Sequence, residues 1–476
     1  MMHNVSQLQR FGCLLLIGWC FLCVRYFYPH MGDDSFIFFR YADFFGQGQG
    51  LRWSASGIAV EGFSSPLWTI WLGVWSIWFD PVSVSRATGI ICVVLTLVQL
   101  FRLGQGGLSV LWGATFTMGI HYWGTSGLET PLYTLLFINV LPLLEQRESA
   151  HTRSVSWLSL ALLGVCRPEA PAIICAVLAM IWWKERTLSL QSFVVCIPML
   201  LWQLIRLTYY EDILPNTYWA KASGDVMLRL SSGWTYGKWL LPPLLLGVWR
   251  SEEKRSWSLV IALWSIVVCG GGDWMWHHRL LVPVIAGVWL LSEKIEGLWR
   301  WGIRLFLVYF WMRPLMFWAV LSSLWTGKTL PITEYQEGNL IEVSENLASD
   351  IRQVYPGTIT IAVNHAGALP YFLPEHEFID MSALNDRYLA RVEGGLHEKY
   401  DADYVLSQNP ELIVLNSFVD PKVEGGQYQP DYWVGETVLY QHSQFVERYV
   451  PIAQSWRRVR HGGGFASIWL FKRRKQ

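Results

Sequence analysis

The chain has 476 residues, 52% of them hydrophobic and only 16% charged, against roughly 25% charged in an ordinary soluble domain. A chain this apolar cannot bury its surplus in its own core, which excludes a soluble enzyme, a disordered chain and a DNA-binding protein. Lys plus Arg and Asp plus Glu balance at 37 each, leaving no broad basic field for a polyanion.

The first apolar run, about 11–29, follows Arg10 without a small-residue cleavage site, which predicts an uncleaved first span. Further apolar stretches recur at about 66–79, 87–101, 107–123, 131–144, 155–166, 170–183, 190–206, 239–249, 257–269, 280–292 and 303–322. Several fall short of the ~20 residues that cross a ~30 Å hydrocarbon core, so flanking aromatics must complete them. The basic loops Glu145–Arg153, Lys184–Arg186, Arg250–Arg255 and Lys294–Arg304 alternate with loops poorer in Lys and Arg, which places these four on the cytoplasmic side. Parity then requires one stretch not to cross. The run 66–79, opened by Pro66 and closed by Asp80-Pro81, is read as a re-entrant or surface helix. The expectation is a polytopic α-helical membrane protein of about eleven transmembrane helices, covering 1–325, with a first outer loop at 30–86.

Beyond residue 325 the pattern changes. Only three of the 29 tryptophans lie there, and charges and turn residues become frequent. Residues 326–476 are expected to form a soluble α/β domain on the outer face. Its strands are expected at Thr358–Val363, Phe378–Asp380, Leu412–Leu415 and Ala466–Phe471. The eight cysteines all fall in apolar stretches before residue 270 and form no disulfide framework; Cys20 and Cys23 share the first apolar run, where they are read as packing and not as a metal pair.

Chemistry-bearing residues collect on the outer side. Gly32-Asp33-Asp34-Ser35-Phe36 opens the first outer loop. Two adjacent carboxylates are costly to keep ionised together unless a cation, a metal or water screens them. Capping a helix there needs only one of them. Asp33 and Asp34 are therefore read as catalytic. Asp33 is preferred as the base, because it precedes the helix and would project into the loop, and Asp34 comes second. No cofactor is expected to be required; a divalent cation, if one takes part, would sit on Asp34. The Gly46-Gln-Gly48-Gln-Gly50 run follows no strand and lacks a Gly-Lys-Ser/Thr ending, so it reads as a turn and not a phosphate loop. Glu61, Glu129, Asn216, Asp273 and His277 are expected to line the substrate, and Arg40, Lys221, Arg279, Arg86 and Arg167 to hold an anionic group. Such polar residues at the membrane edge, on one face, mark a functional site. His277 and His278 point apart on a helix, which argues against a shared metal.

The runs Asp33-Asp34-Ser-Phe-Ile-Phe-Phe-Arg40-Tyr, Gly48-Gln-Gly50-Leu and Val60-Glu61-Gly62-Phe-Ser-Ser-Pro66-Leu-Trp68 resemble those of polytopic GT-C glycosyltransferases. The family of the mycobacterial terminal β-arabinofuranosyltransferase and its bacterial relatives is the nearest likeness. Gly127-Leu-Glu129-Thr-Pro, Arg167-Pro-Glu169, Leu214-Pro-Asn216-Thr, Gly271-Gly-Asp273, Asn364-His-Ala-Gly367-Ala and Phe378-Ile-Asp380 recur in the same order. The chain departs from that pattern at Glu169, where Asp is expected, and at Asn364, where Asp or Gly is commoner. The resemblance implies transfer of a sugar from a polyprenyl-phosphate carrier to a cell-envelope glycan or lipid-linked acceptor, with inversion and a carboxylate base, on the outer face of a bacterial cytoplasmic membrane. A lipid-linked-sugar transporter would show symmetric repeats or broken midplane helices, and the sequence shows neither. A membrane scaffold would leave the aspartate pair unexplained.

Overall fold

A computed structural model describes residues 7–104, 113, 117–145, 149–222, 224–273, 275–311, 314–327, 339–395, 398–419, 427–452, 457–461 and 464–474. The helical part begins with α1 (Gln7–Phe27), α2 (Asp33–Gly46), α3 (Pro66–Ser76) and α4 (Pro81–Leu103). It continues with α5 (Met118–Thr125), α6 (Thr130–Val140), α7 (Ala150–Leu163) and α8 (Ala170–Glu185). Then come α9 (Leu190–Val194), α10 (Ile197–Tyr209), α11 (Asn216–Ala222), α12 (Val226–Gly237) and α13 (Leu241–Arg250). The part closes with α14 (Lys254–Cys269), α15 (Val282–Ser292), α16 (Leu298–Trp311) and α17 (Pro314–Thr326).

Local sequence explains these boundaries. Pro81 starts α4 with its fixed φ, and the Asp80 carboxylate accepts the Ser83 N–H at 2.8 Å. Ser65 and Pro66 start α3 in the same way. Among the described residues, two helical spans, Pro81–Leu103 and Leu190–Tyr209, are long and apolar enough to cross a membrane. The eleven residues of α3 reach only ~16 Å, about half a hydrocarbon core. This helix buries Trp68 and Leu72 and exposes Trp71, Trp75, Trp78 and Phe79 around its far end. The expected run 303–322 falls on α16, on α17 and on residues 312–313, which lie outside the described residues. One departure from the expected stretches has a plain cause. Helix α12 was not expected, because Arg229, Ser231, Ser232 and Gly233 interrupt its apolar residues in sequence. The expected stretch 107–123 lies partly outside the described residues.

At one end of the bundle, three basic loops meet. Lys294 pairs with Glu145 and, at 3.5 Å, with Glu253, and Ser256 donates to Glu145 at 3.3 Å. The fourth, around Lys184, lies close enough to feel the charges of Arg255 and Glu253.

The C-terminal part is α/β. Strands β1 (Thr360–Val363), β2 (Glu377–Asp380), β3 (Leu412–Ser417), β4 (Tyr449–Pro451), β5 (Arg457–His461) and β6 (Gly464–Arg473) form one sheet. Its order is β2-β1-β3-β6-β4, with β5 also paired to β6. β1 pairs in parallel with β2 and β3, while β6 runs antiparallel to β3, β4 and β5. The helices are α18 (Leu340–Val354), α19 (Ala368–Phe372), α20 (Ala402–Ser407), α21 (Val434–Gln441) and α22 (Ser443–Arg448). Four strands fall where sequence alternation placed them. The alternation also decides the packing. Ile361, Val363, Leu412, Val414, Ile468 and Leu470 join the same buried core as the helical part, and the opposite face, with Ala362, Ile413, Leu415, Trp469 and Phe471, fills a second core.

Candidate active site

Gly32, in an extended conformation, precedes α2 and places Asp33 and Asp34 in its first turn. The two carboxylates meet different surroundings. Asp33 is buried, and its Oδ2 and Oδ1 accept the backbone N–H groups of Gly367 (3.2 Å) and Ala368 (2.8 Å). Burial pushes the Asp33 carboxyl up to about 7, with the Ala368 N–H pulling the other way and the charge of Asp34 adding to the rise. Asp34 is only partly buried, and its charge acts on both Lys221 and Arg279. The expectation that Asp33 is the open carboxylate is therefore corrected. The residue nearer the loop is the fixed one, because a helix N-terminus 335 residues away captures it.

The cationic side of the site comes from two later segments. Lys221 lies in the last turn of α11, and its side chain is exposed although protein surrounds it. Desolvation holds its ammonium below the usual lysine range, opposed by the charge of Asp34. Arg279 follows a turn in which His277 (φ 53°) and His278 (φ 48°) both take the left-handed conformation, a strained arrangement for two successive non-glycine residues. Its Nε donates to Asp273 Oδ2 at 2.8 Å. Its two Nη groups make no hydrogen bond among the described residues. Arg167 sits behind, bonded to Glu129 and, at 2.5 Å, to Glu169. Glu129 is fully buried, and its Oε2 has no hydrogen-bond partner among the described residues. Asp34, Glu129, Arg167, Lys221, Asp273 and Arg279 thus form one electrostatic cluster.

The remaining candidates lie elsewhere, and each has a physical reason. Arg40 is 1% exposed. Its guanidinium donates to the carbonyls of Trp53 (2.5 Å), Pro370, Leu373 (3.4 Å) and His376 (3.3 Å), among the rings of Phe44, Trp53 and Phe378. A guanidinium so engaged cannot also hold a phosphate, so that assignment is withdrawn. Arg86 lies over the Tyr28 ring at 4.5 Å and lines a separate cavity of about 440 Å³ with His30, Asp80, Glu342 and Tyr371. Glu61 is buried against Arg206 (2.6 Å) and the Trp202 indole N–H (3.0 Å), where it ties the segment before α3 to α10. Asn216 uses its amide on three carbonyls and one arginine of the C-terminal domain. His277 packs on Tyr122 and Phe27. Glu61 and Asn216 are thus engaged in ties between segments of the chain. Sequence reading had passed over Gly367 and Ala368 as partners of Asp33, although the Asn364–Ala368 motif was in view. No group of three His, Cys, Asp or Glu side chains able to hold a metal occurs among the described residues.

The chain is thus a helical module followed by an α/β domain. Two crystal structures of ArnT from Cupriavidus metallidurans are similar to the chain. The undecaprenyl-phosphate-bound form matches with a TM-score of 0.55 at 11% identity, and the apo form with 0.52 at 10%. Each match covers 96% of this chain and 97% of that one. A family model described as a domain of unknown function, DUF8728, matches residues 333–466. No curated protein matches the chain in sequence.

Proposed function

We propose that the chain is a membrane glycosyltransferase that moves a sugar from a polyprenyl-phosphate carrier to a cell-envelope glycan or lipid-linked acceptor. One observation carries this reading: Asp34 is partly open and its charge acts on two cations, Lys221 and Arg279, within a fold shared over 96% of the chain with ArnT. In the reaction, an acceptor hydroxyl gives its proton to the Asp34 carboxylate as its oxygen bonds to the anomeric carbon of the donor. The bond from that carbon to the phosphate oxygen breaks on the opposite side, so the anomeric centre inverts. The leaving polyprenyl phosphate gains a negative charge, which Lys221 and Arg279 stabilise. A positioned base contributes ~10²–10⁴-fold to such a step.

The orientation follows from the basic end of the bundle. Lys294 meets Glu145 and Glu253 there, the charges of Arg255 and Glu253 reach Lys184, and the positive-inside tendency supports putting that end in the cytoplasm. Asp34 and the C-terminal domain then face outward from a bacterial inner membrane. The test is transfer of labelled sugar from a polyprenyl-phosphate donor by membranes carrying the wild type or Asp34→Asn. Transfer by the wild type and its loss in the variant support the reading. Equal transfer by both would remove Asp34 from the chemistry.

A further inference from the structure

The C-terminal domain touches both segments that carry the reacting groups, although those segments lie far apart in the chain. On α2, the Asp33 carboxylate takes the N–H groups of Gly367 and Ala368, and Arg40 grips the carbonyls of Pro370, Leu373 and His376. Asp33 and Arg40 therefore hold α19 at its two ends, acid at the N-terminus and base at the C-terminus. The contact is close: a Cβ on Gly367 would stand 2.0 Å from the Asp33 carbonyl oxygen. On the other segment, the Asn216 amide donates to the carbonyls of Ala383 (3.0 Å), Leu384 (2.9 Å) and Asp386 (3.1 Å) and accepts from Arg391 (3.2 Å). Arg391 also pairs with Asp212, and Lys399 donates to the Trp219 carbonyl at 2.8 Å. Both Asn216 and Trp219 belong to α11, whose last turn carries Lys221.

A single turn joins the two grips. Asp380 ends β2, and its carboxylate accepts from the Ser382 N–H (2.8 Å) and hydroxyl (2.5 Å) and from the Asn385 N–H (2.7 Å) and amide (2.9 Å). This folds residues 380–386 into a fixed turn, with Ala383 at φ 67°. From that turn, Asn385 Oδ1 meets the hydroxyl of Tyr41 on α2 at 3.1 Å, and three carbonyls hold Asn216 on α11.

We infer that the C-terminal domain is a splint for the reacting groups: the Asp380 turn and α19 fix α2, which carries Asp34, relative to α11, which carries Lys221. Asp33, Asn216 and Asp380 are then positioning residues. The inference rests on the reading of Asp34 as base and Lys221 as a phosphate ligand. Reacting groups need near-attack geometry, and a displacement of about 1 Å can cost on the order of 10²-fold in rate.

The experiment is a kinetic cycle on the full-length protein, with a polyprenyl-phosphate sugar as donor and folded protein quantified for each variant. Asp380→Asn keeps the side-chain shape but presents an amide N–H₂ to the Asn385 donors. Its kcat should fall by about 10–100-fold. Adding Lys221→Gln to Asp380→Asn should then cost less than about threefold, because the lysine is already out of place and the two changes are not independent. Asn216→Ala provides the second route, with the same non-additive outcome against Lys221→Gln. A purely structural role would scale activity with folded protein and leave the Lys221→Gln penalty intact in both backgrounds. That result, or kcat within twofold of wild type for both Asp380→Asn and Asn216→Ala, overturns the splint. If instead Lys221→Gln and Asp34→Asn alone leave transfer unchanged, the assignment of the reacting groups fails first, and the splint with it.

Discussion

At the scale of single residues, two neighbouring aspartates differ because of what each one meets. Asp33 is tied to a helix of the C-terminal domain, and the charge of Asp34 acts on Lys221 and Arg279. The sequence made the pair legible, and it also pointed to Lys221, Arg279, Asp273, Glu129 and Arg167, since unusual charges at the ends of apolar segments stand out. It could not show which aspartate is open, because the deciding partners lie 334 and 335 positions away. Arg40 misled for a related reason. It sits on the same helix as the aspartates, yet its carbonyl partners come from the loop around α19. The phosphate assignment gives a direct comparison. Arg279→Gln should lower kcat/KM for the donor by ~10²-fold, as for loss of one charge-stabilising donor at a reacting centre. Lys184→Gln, at the basic end of the bundle, should stay within about twofold of wild type, the size expected of an exposed charge. Equal losses in the two variants would remove Arg279 from the site.

At the scale of elements, strands were easier to read than one of the helices. Short apolar runs such as Thr360–Val363 and Leu412–Ser417 are bounded by turn residues and alternate between two cores. Helix α12 was hidden by polar residues that hydropathy counts as a gap. Close helix packing was also invisible in hydropathy, because it depends on the absence of a side chain. Gly89 on α4 faces the backbone of α5, where a Cβ would stand 2.3 Å from the Gly124 carbonyl oxygen. Small residues let membrane helices approach in this way. Gly89→Val should therefore separate α4 from α5 and cost ~1–3 kcal/mol. A fall in the melting temperature of the purified protein, with the Asp33 region chemically unchanged, is the expected result. An unchanged melting temperature would mean that the two helices are not packed as described.

At the scale of the whole molecule, the two parts are joined by buried polar groups as well as by a shared apolar core, and this has a pH signature. Burial pushes Asp33 and Glu436 up to about 7 and Asp380 up to about 6. An unfolded carboxyl titrates near ~4. Between pH ~4 and ~7 the folded chain therefore binds more protons than the unfolded one, and these groups make stability fall as pH rises through that window. Thermal unfolding in detergent should show a higher melting temperature at pH 5 than at pH 7.5. A melting temperature that climbs over that range would contradict the burial of these carboxyls. The arrangement across the membrane has its own test. A single cysteine placed in 427–452, in a background lacking the native cysteines, should react with an impermeant maleimide on intact spheroplasts. Protection there, with labelling after lysis, would reverse the orientation and put Asp34 on the cytoplasmic side.

The most direct measurement is turnover of Asp34→Asn beside Asp33→Asn, on purified protein with one polyprenyl-phosphate sugar and a competent acceptor. Asp34→Asn should lose ~10²–10⁴-fold in kcat while still binding donor, because the amide keeps the shape of the carboxylate and lacks its basicity. Asp33→Asn should retain measurable turnover at about 10–100-fold below wild type, as expected of a misplaced but intact base. Activity within tenfold of wild type in Asp34→Asn, with Asp33→Asn inactive, would contradict the assignment of Asp34 as the base.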